Sequence, residues 1–158
     1  MALESKFKIS FDIAYNINMI IIDTNVIVSA LRSRTGWSRK MLIQVLRSEL
    51  RAGVSVPLFI EYEAVLQRPA QRSAFGLTSS EVNDFLTGLA GVLHPIDISF
   101  LWRPQLKDPA DEMVLEAAVN GSCSHIVTWN VRDFAQAVPR FHLQCLTPAD
   151  YYLTTPQQ

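Results

Sequence analysis

Apolar residues occur along the chain in two patterns, as short unbroken runs and as positions spaced three or four residues apart. One unbroken run, MIII at 19–22, predicts a strand buried on both faces. Shorter runs predict strands at 54–56, 125–128 and 142–146, and residues 94–107 are typical of an edge strand followed by a loop. Fully apolar strands favour a parallel sheet.

Helical spacing predicts five helices between these strands. Their ranges are a helix that starts within 26–31, helices over 38–52 and 58–67, a helix that follows Thr78, and a helix from Pro109 to Asn120. Thr78 and Glu81 have the spacing of a capping box. Asp108 is predicted to be the N-cap of the last helix, and Gly121 follows its end.

Strands that alternate with helices of this length predict an α/β fold, with helices on both faces of a parallel sheet. The chain has 158 residues, a length that suits one domain. We place this domain at residues 19–153. Because the first strand opens directly at Met19, residues 1–18 are interpreted as an N-terminal extension outside the core, and residues 154–158 as a tail.

Composition excludes several classes of protein. Apolar residues make up 49% of the chain and charged residues 18%, as in ordinary globular domains, and no run reaches the ~18 apolar residues of a membrane span. The two cysteines are too few for a disulfide framework and favour a reducing, cytoplasmic environment. The three histidines lack the spacing of metal ligands.

The net charge is only −1, but the charges are segregated along the chain. Residues 32–72 hold eight Arg and Lys against three acids, whereas residues 81–133 hold eight acids against three bases. A basic region can guide a polyanion toward an acidic centre. The candidate residues for contacting a polyanion such as RNA are Arg32, Arg34, Arg39 and Lys40. The alternative is that these side chains form an ordinary solvated helix face.

Polar residues follow two of the predicted strands at the points where they end. Asp23 comes directly after the first strand, and Asn130 and Asp133 follow the strand at 125–128. Ligands of parallel sheets bind beyond the carboxyl ends of strands, so these residues are expected to share one cleft. The alternative for Asp23 is a turn in which it only caps the next helix.

Two further acids fall on apolar helix faces. Glu61 shares its helical stripe with core residues, whereas Glu63 faces outward. Asp111 aligns with core positions, and its neighbour Glu112 is expected on a more mixed face nearer the edge. Asp111 could instead be an ordinary first-turn acid favoured by the helix dipole. Carboxylates that converge without basic partners suit Mg²⁺ or Mn²⁺, and such sites hydrolyse phosphodiesters.

The chain resembles the PIN-domain family, in the branch of ribonuclease toxins from type II toxin–antitoxin systems. The matching segments run in order across residues 19–153: IIIDTNVIVSAL, IEYEAVLQRP, DPADEMVLEAAV, IVTWNVRDF and the strand-like LQCLTPADYYL. The resemblance implies a three-layer α/β/α fold and a metal-dependent endoribonuclease that cuts single-stranded RNA. It also implies a homodimer and a small antitoxin that blocks the cleft.

Carried over position by position, the resemblance implies that four acids are catalytic and bind Mg²⁺ or Mn²⁺: Asp23, Glu61, Asp111 and Asp133. It implies supporting roles for Asn25, which would orient the first carboxylate, and for Thr128, Asn130 and Glu112. Many family members have an acid where Asn130 stands. An amide oxygen can bind a metal but adds no charge.

Two alternatives remain at this point. A phosphatase of the haloacid dehalogenase type also places an Asp after its first strand, but it needs a second Asp where this chain has Asn25. A PIN-like fold could also serve as a non-catalytic module that binds RNA or a protein partner, and Asn130 favours that alternative.

Overall fold

A computed structural model of the protein describes residues 19–155. Its centre is a sheet of five parallel strands in the order β3-β2-β1-β4-β5. The strands are β1 (Ile20–Ile22), β2 (Ala52–Val54), β3 (His94–Pro95), β4 (His125–Val127) and β5 (Gln144–Leu146). In the register, Ile21 of β1 lies between Gly53 and Ile126.

Helices connect the strands and cover the sheet, which confirms the predicted three-layer α/β/α fold. They are α1 (Thr24–Arg32), α2 (Trp37–Leu46), α3 (Val56–Leu66), α4 (Pro69–Phe75), α5 (Ser79–Ala90), α6 (Glu112–Asn120), α7 (Val131–Phe134) and α8 (Pro148–Thr154), with a 3₁₀ turn at Val138–Phe141. The three isoleucines of β1 are almost wholly buried, as an all-apolar strand at the centre of a covered sheet requires.

The helix predicted over 38–52 ends six residues early. α2 stops at Leu46 because Ser48 has a positive φ of 58°, which ends the helix. The next strand consequently spans 52–54 instead of the predicted 54–56. Ser55 then becomes the N-cap of α3, where its hydroxyl accepts a hydrogen bond from the backbone N–H of Leu58 at 3.4 Å.

The start of α6 also differs from the prediction. Asp108 does not cap this helix; its carboxylate accepts from the N–H of Ala110 at 2.9 Å within a preceding turn. The N-cap position belongs to Asp111. A local Asp side chain can close a turn or a helix end equally well, and the turn prevails here.

Several short elements of the fold are not predicted by the sequence. α4, α7 and the 3₁₀ turn have too few residues for a clear helical period. The segment LQCLTPADYYL, expected to be strand-like, leaves β5 at Leu146 and continues as α8. Thr147 caps that helix by accepting from the N–H of Asp150 at 3.1 Å. The capping box of Thr78 and Glu81 is confirmed.

The predicted extension at 1–18 lies outside the described residues, as do residues 156–158. The domain limits of 19–153 therefore stay a prediction. Of the helices in residues 19–155, none has the length and apolarity to cross a membrane.

Candidate active site

Asp23 lies at the carboxyl end of β1, where the chain leaves the centre of the sheet. Its backbone N–H donates to the carbonyl of Val127 at 2.9 Å, and its side chain is only 6% exposed. Its Oδ2 accepts hydrogen bonds from the Thr128 hydroxyl at 2.6 Å and from Asn25 Nδ2 at 3.0 Å. A residue that only capped α1 would not need these bonds, one of which comes from the end of the neighbouring strand.

Asn25 and Thr128 tie the ends of β1 and β4 together. Thr128 Oγ1, wholly buried, accepts from Asn25 Nδ2 at 3.1 Å and from the N–H of Asn130 at 3.0 Å. Asn25 Oδ1 accepts from the N–H of Trp129 at 3.1 Å. Because the Thr128 hydroxyl accepts these bonds and donates its one proton to Asp23, its orientation is fixed.

The environment of Asp23 opposes its charged form. Burial is the largest cause and raises the pKa of this carboxyl; the hydrogen bond from Thr128 lowers it, and the negative charge of Glu61 raises it again. A raised pKa in a buried carboxyl at a strand end is a common property of functional sites.

Glu61 reaches the same edge from α3. Its Oε2 accepts a hydrogen bond from the Thr24 hydroxyl, directly after Asp23. The next residue of the helix, Tyr62, is buried and donates its hydroxyl proton to the carbonyl of Ile22, which fixes α3 against the end of β1. Burial, then the charges of Asp23 and Glu61, raise the pKa of Tyr62 well above its usual value.

The predicted orientation of α3 is therefore confirmed. Glu61 is half-buried beside the strand end, whereas Glu63 is exposed.

Asp111 is half-buried at the start of α6. Its pKa is raised to about 6, first by burial and then by the charges of Asp23, Asp108, Asp133 and Glu61. All four of these charges are carboxylates. Acids from separate parts of the chain thus act on the carboxyl of Asp111.

Asp133 and Asn130 complete this edge after β4. Asp133 lies in α7, is exposed, and contributes to the raised pKa of Asp111. The carbonyl of Asn130 accepts the backbone N–H of Asp133 at 3.0 Å, and its side chain is exposed. These two side chains are therefore open to solvent beyond the end of β4.

The sequence predicts that Glu112 lies on a mixed face near the edge, and this prediction is wrong. Glu112 is 2% exposed, and its Oε1 accepts from the backbone N–H groups of Gln105 and Leu106 at 2.6 and 2.9 Å. Its Oε2 has no hydrogen-bond partner among the described residues. Glu116, one turn later, is buried as well and forms a two-pronged ion pair with Arg103 at 2.7 and 3.0 Å. The loop that precedes α6 folds over this face, and helical periodicity cannot reveal such a cover.

A sequence model described as the PIN domain matches residues 19–132. The chain belongs to the PIN domain family. PIN domains are generally nucleases, and these nucleases generally use divalent metals. Membership in this family removes the haloacid dehalogenase alternative.

Two solved structures share the PIN fold with this chain. One is the crystal structure of VapBC2 from Rickettsia felis bound to a DNA fragment from their promoter: identity is 15% and the TM-score 0.54, over 80% of this chain and 96% of that one. The other is the structure of FitAB bound to an IR36 DNA fragment, with 18% identity and a TM-score of 0.55 over 82% of this chain and 95% of that one. No curated protein sequence matches the chain.

The donor chemistry of this PIN domain's acidic edge fits a hard divalent cation. Asp23 and Asp111 both have raised pKa values, and other acids contribute to both shifts. Carboxylate oxygens are the preferred ligands of Mg²⁺ and Mn²⁺. Within residues 19–155, however, no three His, Cys, Asp or Glu side chains are grouped as a metal centre. Binding would require the more exposed carboxylates to move toward Asp23.

A basic cavity of about 400 Å³ lies along α2. Its cationic lining residues are Arg34, Arg39, Lys40 and Arg47, and Glu49 is its one acid. Three of the four predicted RNA-binding residues therefore share one cavity. Arg32 is not among its lining residues; this side chain hydrogen-bonds Gln71 Oε1 at 2.8 and 3.2 Å.

Sequence reasoning missed two participants at the acidic edge. Thr24 binds Glu61, and Asp108 adds a fourth charge that acts on Asp111. Thr24 lies between two residues that were singled out, so its position was a usable signal. The predicted role of Asp108 as a helix cap gives no sign that its charge acts on Asp111.

Proposed function

We propose that this PIN domain is a metal-dependent endoribonuclease that hydrolyses single-stranded RNA. Asp23, Glu61, Asp111 and Asp133 would hold Mg²⁺ or Mn²⁺. The observation that supports the proposal is that the charges of Asp23, Asp108, Asp133 and Glu61 all raise the pKa of Asp111, so acids from four separate segments act on one carboxyl. A stable fold gains nothing from such mutual repulsion, whereas a cation would relieve it.

The surrounding residues prepare this edge for a cation. Thr128 and Asn25 hold Oδ2 of Asp23 in place, so the central ligand needs little reorganisation. Thr24 holds Glu61 beside it. The pKa of about 6 leaves a small fraction of Asp111 protonated at neutral pH, and a cation would favour its ionised form. When bound, such an ion would activate water for attack and neutralise the charge that develops on the phosphodiester.

The charge distribution supports the proposed substrate class. Arg34, Arg39, Lys40 and Arg47 would hold RNA phosphates in the basic cavity and draw the strand toward the acidic edge. Exposure of the acidic edge at Asn130 and Asp133 suits a flexible single strand that can enter a shallow cleft.

We further propose that the chain is the cytoplasmic toxin of a toxin–antitoxin pair. The quoted motifs resemble that branch of the family, and the fold is shared with chains of the VapBC2 and FitAB assemblies, both described as bound to DNA. The proposed partners are a small antitoxin and a second copy of this chain.

A non-catalytic PIN module that binds RNA or a partner is the second candidate. Asn130 favours it, since this position lacks the charge that many family members have. The absence of a preformed three-ligand metal cluster in residues 19–155 favours it as well.

Cleavage of a labelled single-stranded RNA separates the two candidates. We expect the purified chain to cut the RNA in Mg²⁺ or Mn²⁺ and to stop when a chelator is in excess. Asp23→Asn removes a charge at little steric cost and should abolish nearly all cleavage, whereas Asp84→Asn, an exposed acid of α5, is the matched control and should leave it unchanged. Full activity of Asp23→Asn would contradict the metal mechanism, and so would full activity of the unsubstituted chain in excess chelator.

A further inference from the structure

Trp129 is an exposed aromatic residue beside the acidic edge. It lies two residues beyond the end of β4, between the buried Thr128 and the exposed Asn130, and 45% of it is accessible to solvent.

Trp129 is held by one hydrogen bond from its backbone and one from its ring. Its backbone N–H donates to Asn25 Oδ1 at 3.1 Å, and its indole Nε1–H donates to Ser38 Oγ at 3.2 Å. Ser38 is itself buried at the start of α2, so it is a fixed acceptor. The indole is therefore oriented before any ligand arrives, which lowers the entropy lost on binding.

The other two tryptophans of the chain differ from Trp129 in their surroundings. Trp37 stacks on Tyr152 with centroids 5.4 Å apart. Trp102 packs edge-on against Phe141 at 5.6 Å. In the part of the chain that the structure describes, no aromatic ring or cationic group is recorded against the indole of Trp129.

Trp129 also joins the two charged regions of the molecule. Asn25, its backbone partner, binds the carboxylate of Asp23 at the acidic edge. Ser38, its side-chain partner, immediately precedes Arg39 and Lys40, which line the basic cavity. A strand whose phosphates run from that cavity to Asp23 would pass the indole.

We propose that Trp129 is a stacking platform for one nucleobase next to the scissile phosphate of single-stranded RNA. The inference rests on the proposed function, because it takes the acidic edge as the place of cleavage. Every base has a π face, so stacking on a fixed indole binds single strands with little sequence preference, whereas a base paired within a duplex is not free to stack on it. Loss of one stacked base weakens binding about 5- to 150-fold.

Trp129→Ala tests the proposal, with Trp129→Phe as the conservative variant and Trp102→Ala as a control of similar exposure. Kd for a labelled single-stranded RNA is measured in chelator, so that no cleavage occurs, and KM and kcat are measured with Mn²⁺. We expect Trp129→Ala to raise Kd and KM at least fivefold with kcat within threefold. Trp129→Phe should recover most of the affinity, and Trp102→Ala should bind as the unsubstituted chain does. Melting temperatures verify that each variant folds.

A scan of abasic sites along the RNA gives the second readout. One abasic position should weaken binding to the unsubstituted chain and have no further effect on Trp129→Ala, because the stacking partner is then already absent.

Equal Kd values for Trp129→Ala and the unsubstituted chain would overturn the stacking proposal and leave the nuclease proposal intact. Unchanged RNA binding with an altered oligomeric state would assign the ring to a protein contact and overturn it as well. RNA binding that depends on Trp129, without cleavage, would support stacking and contradict the nuclease; no RNA binding at all would overturn both.

Discussion

Asp111 and Glu112 are adjacent acids in entirely different surroundings. Glu112 is buried under a loop and accepts two backbone N–H groups from it, and Glu116 on the same helix is paired with Arg103. Asp111 lies half-buried among carboxylates that raise its pKa to about 6. Glu112 therefore receives hydrogen bonds and Glu116 pairs with an arginine, whereas the charges that act on Asp111 are all negative.

We propose that this difference separates structural from functional carboxylates. A buried carboxylate that receives N–H donors or an arginine stabilises a particular packing of the loop before α6. A carboxylate that is repelled by its neighbours contributes nothing to that packing and suits a cation supplied from solution. Substitution of Asp111 or Glu61 should therefore change the cleavage rate, whereas substitution of Glu112 should change the free energy of unfolding.

The largest expected effect is on catalysis. Asp111→Asn and Glu61→Gln should each lower the cleavage rate at least ~10²-fold, about 2.7 kcal/mol of transition-state stabilisation. Both changes remove charge with little change in volume, so folding should be preserved. Glu63→Gln, on the exposed face of α3, is the matched control and should stay within several-fold of the unsubstituted chain. A fully active Asp111→Asn enzyme would place the third acid elsewhere.

A smaller effect, on stability, is expected at Glu112. Glu112→Ala leaves the N–H groups of Gln105 and Leu106 without their acceptor and should lower the free energy of unfolding by about 1–3 kcal/mol. Glu112→Gln keeps an acceptor oxygen and should lose less. Urea denaturation measures both. If Glu112→Gln folded as stably as the unsubstituted chain yet failed to cleave RNA, Glu112 would belong to the site and the proposed separation would be wrong.

The smallest effect is on the pH dependence of stability without divalent ions. The pKa of Asp111 is about 6 in the folded chain and about 3.9 when unfolded. Between these values the folded state binds more protons, so this carboxyl makes the protein less stable as pH rises from about 4 to 6, and the loss is complete above 6.

The amide side chain of Asp111→Asn does not titrate between pH 4 and 7. In chelator this variant should gain stability over the unsubstituted chain as pH rises from 4 to 7, by less than about 1 kcal/mol because water screens this half-exposed group. Melting curves at several pH values measure the difference. A difference that is constant with pH, or that favours the unsubstituted chain at pH 7, would contradict the assigned environment of Asp111.

The sheet and its polar edge could be predicted because each depends on local signals. An unbroken MIII run is typical of a buried strand, and the residue that follows it, Asp23, is then expected to emerge at the strand's end. The stripe on α3 separated Glu61 from Glu63 for the same reason: helical spacing alone determines which side chain faces the sheet.

The failures have a common physical cause. Burial of Glu112 and Glu116 depends on a loop that folds back onto α6 through Arg103, and no period within the helix records that contact. At three positions, one backbone angle or one hydrogen bond determines whether a turn or a helix end forms. These positions are Asp108, Ser48 and Ser55. Such choices are settled by tertiary packing, which propensity and spacing do not contain.

The most direct test of the central claim is to measure Mn²⁺ binding by electron paramagnetic resonance. The measurement is made on the purified chain and on Asp111→Asn. The unsubstituted chain should bind the ion saturably, and Asp111→Asn should bind it at least about tenfold more weakly, since one of the acids that would attract the cation is lost. Glu63→Gln should bind it as the unsubstituted chain does. Equal affinity in all three proteins, or no saturable binding by the unsubstituted chain, would contradict the assignment of this acidic edge as a metal site.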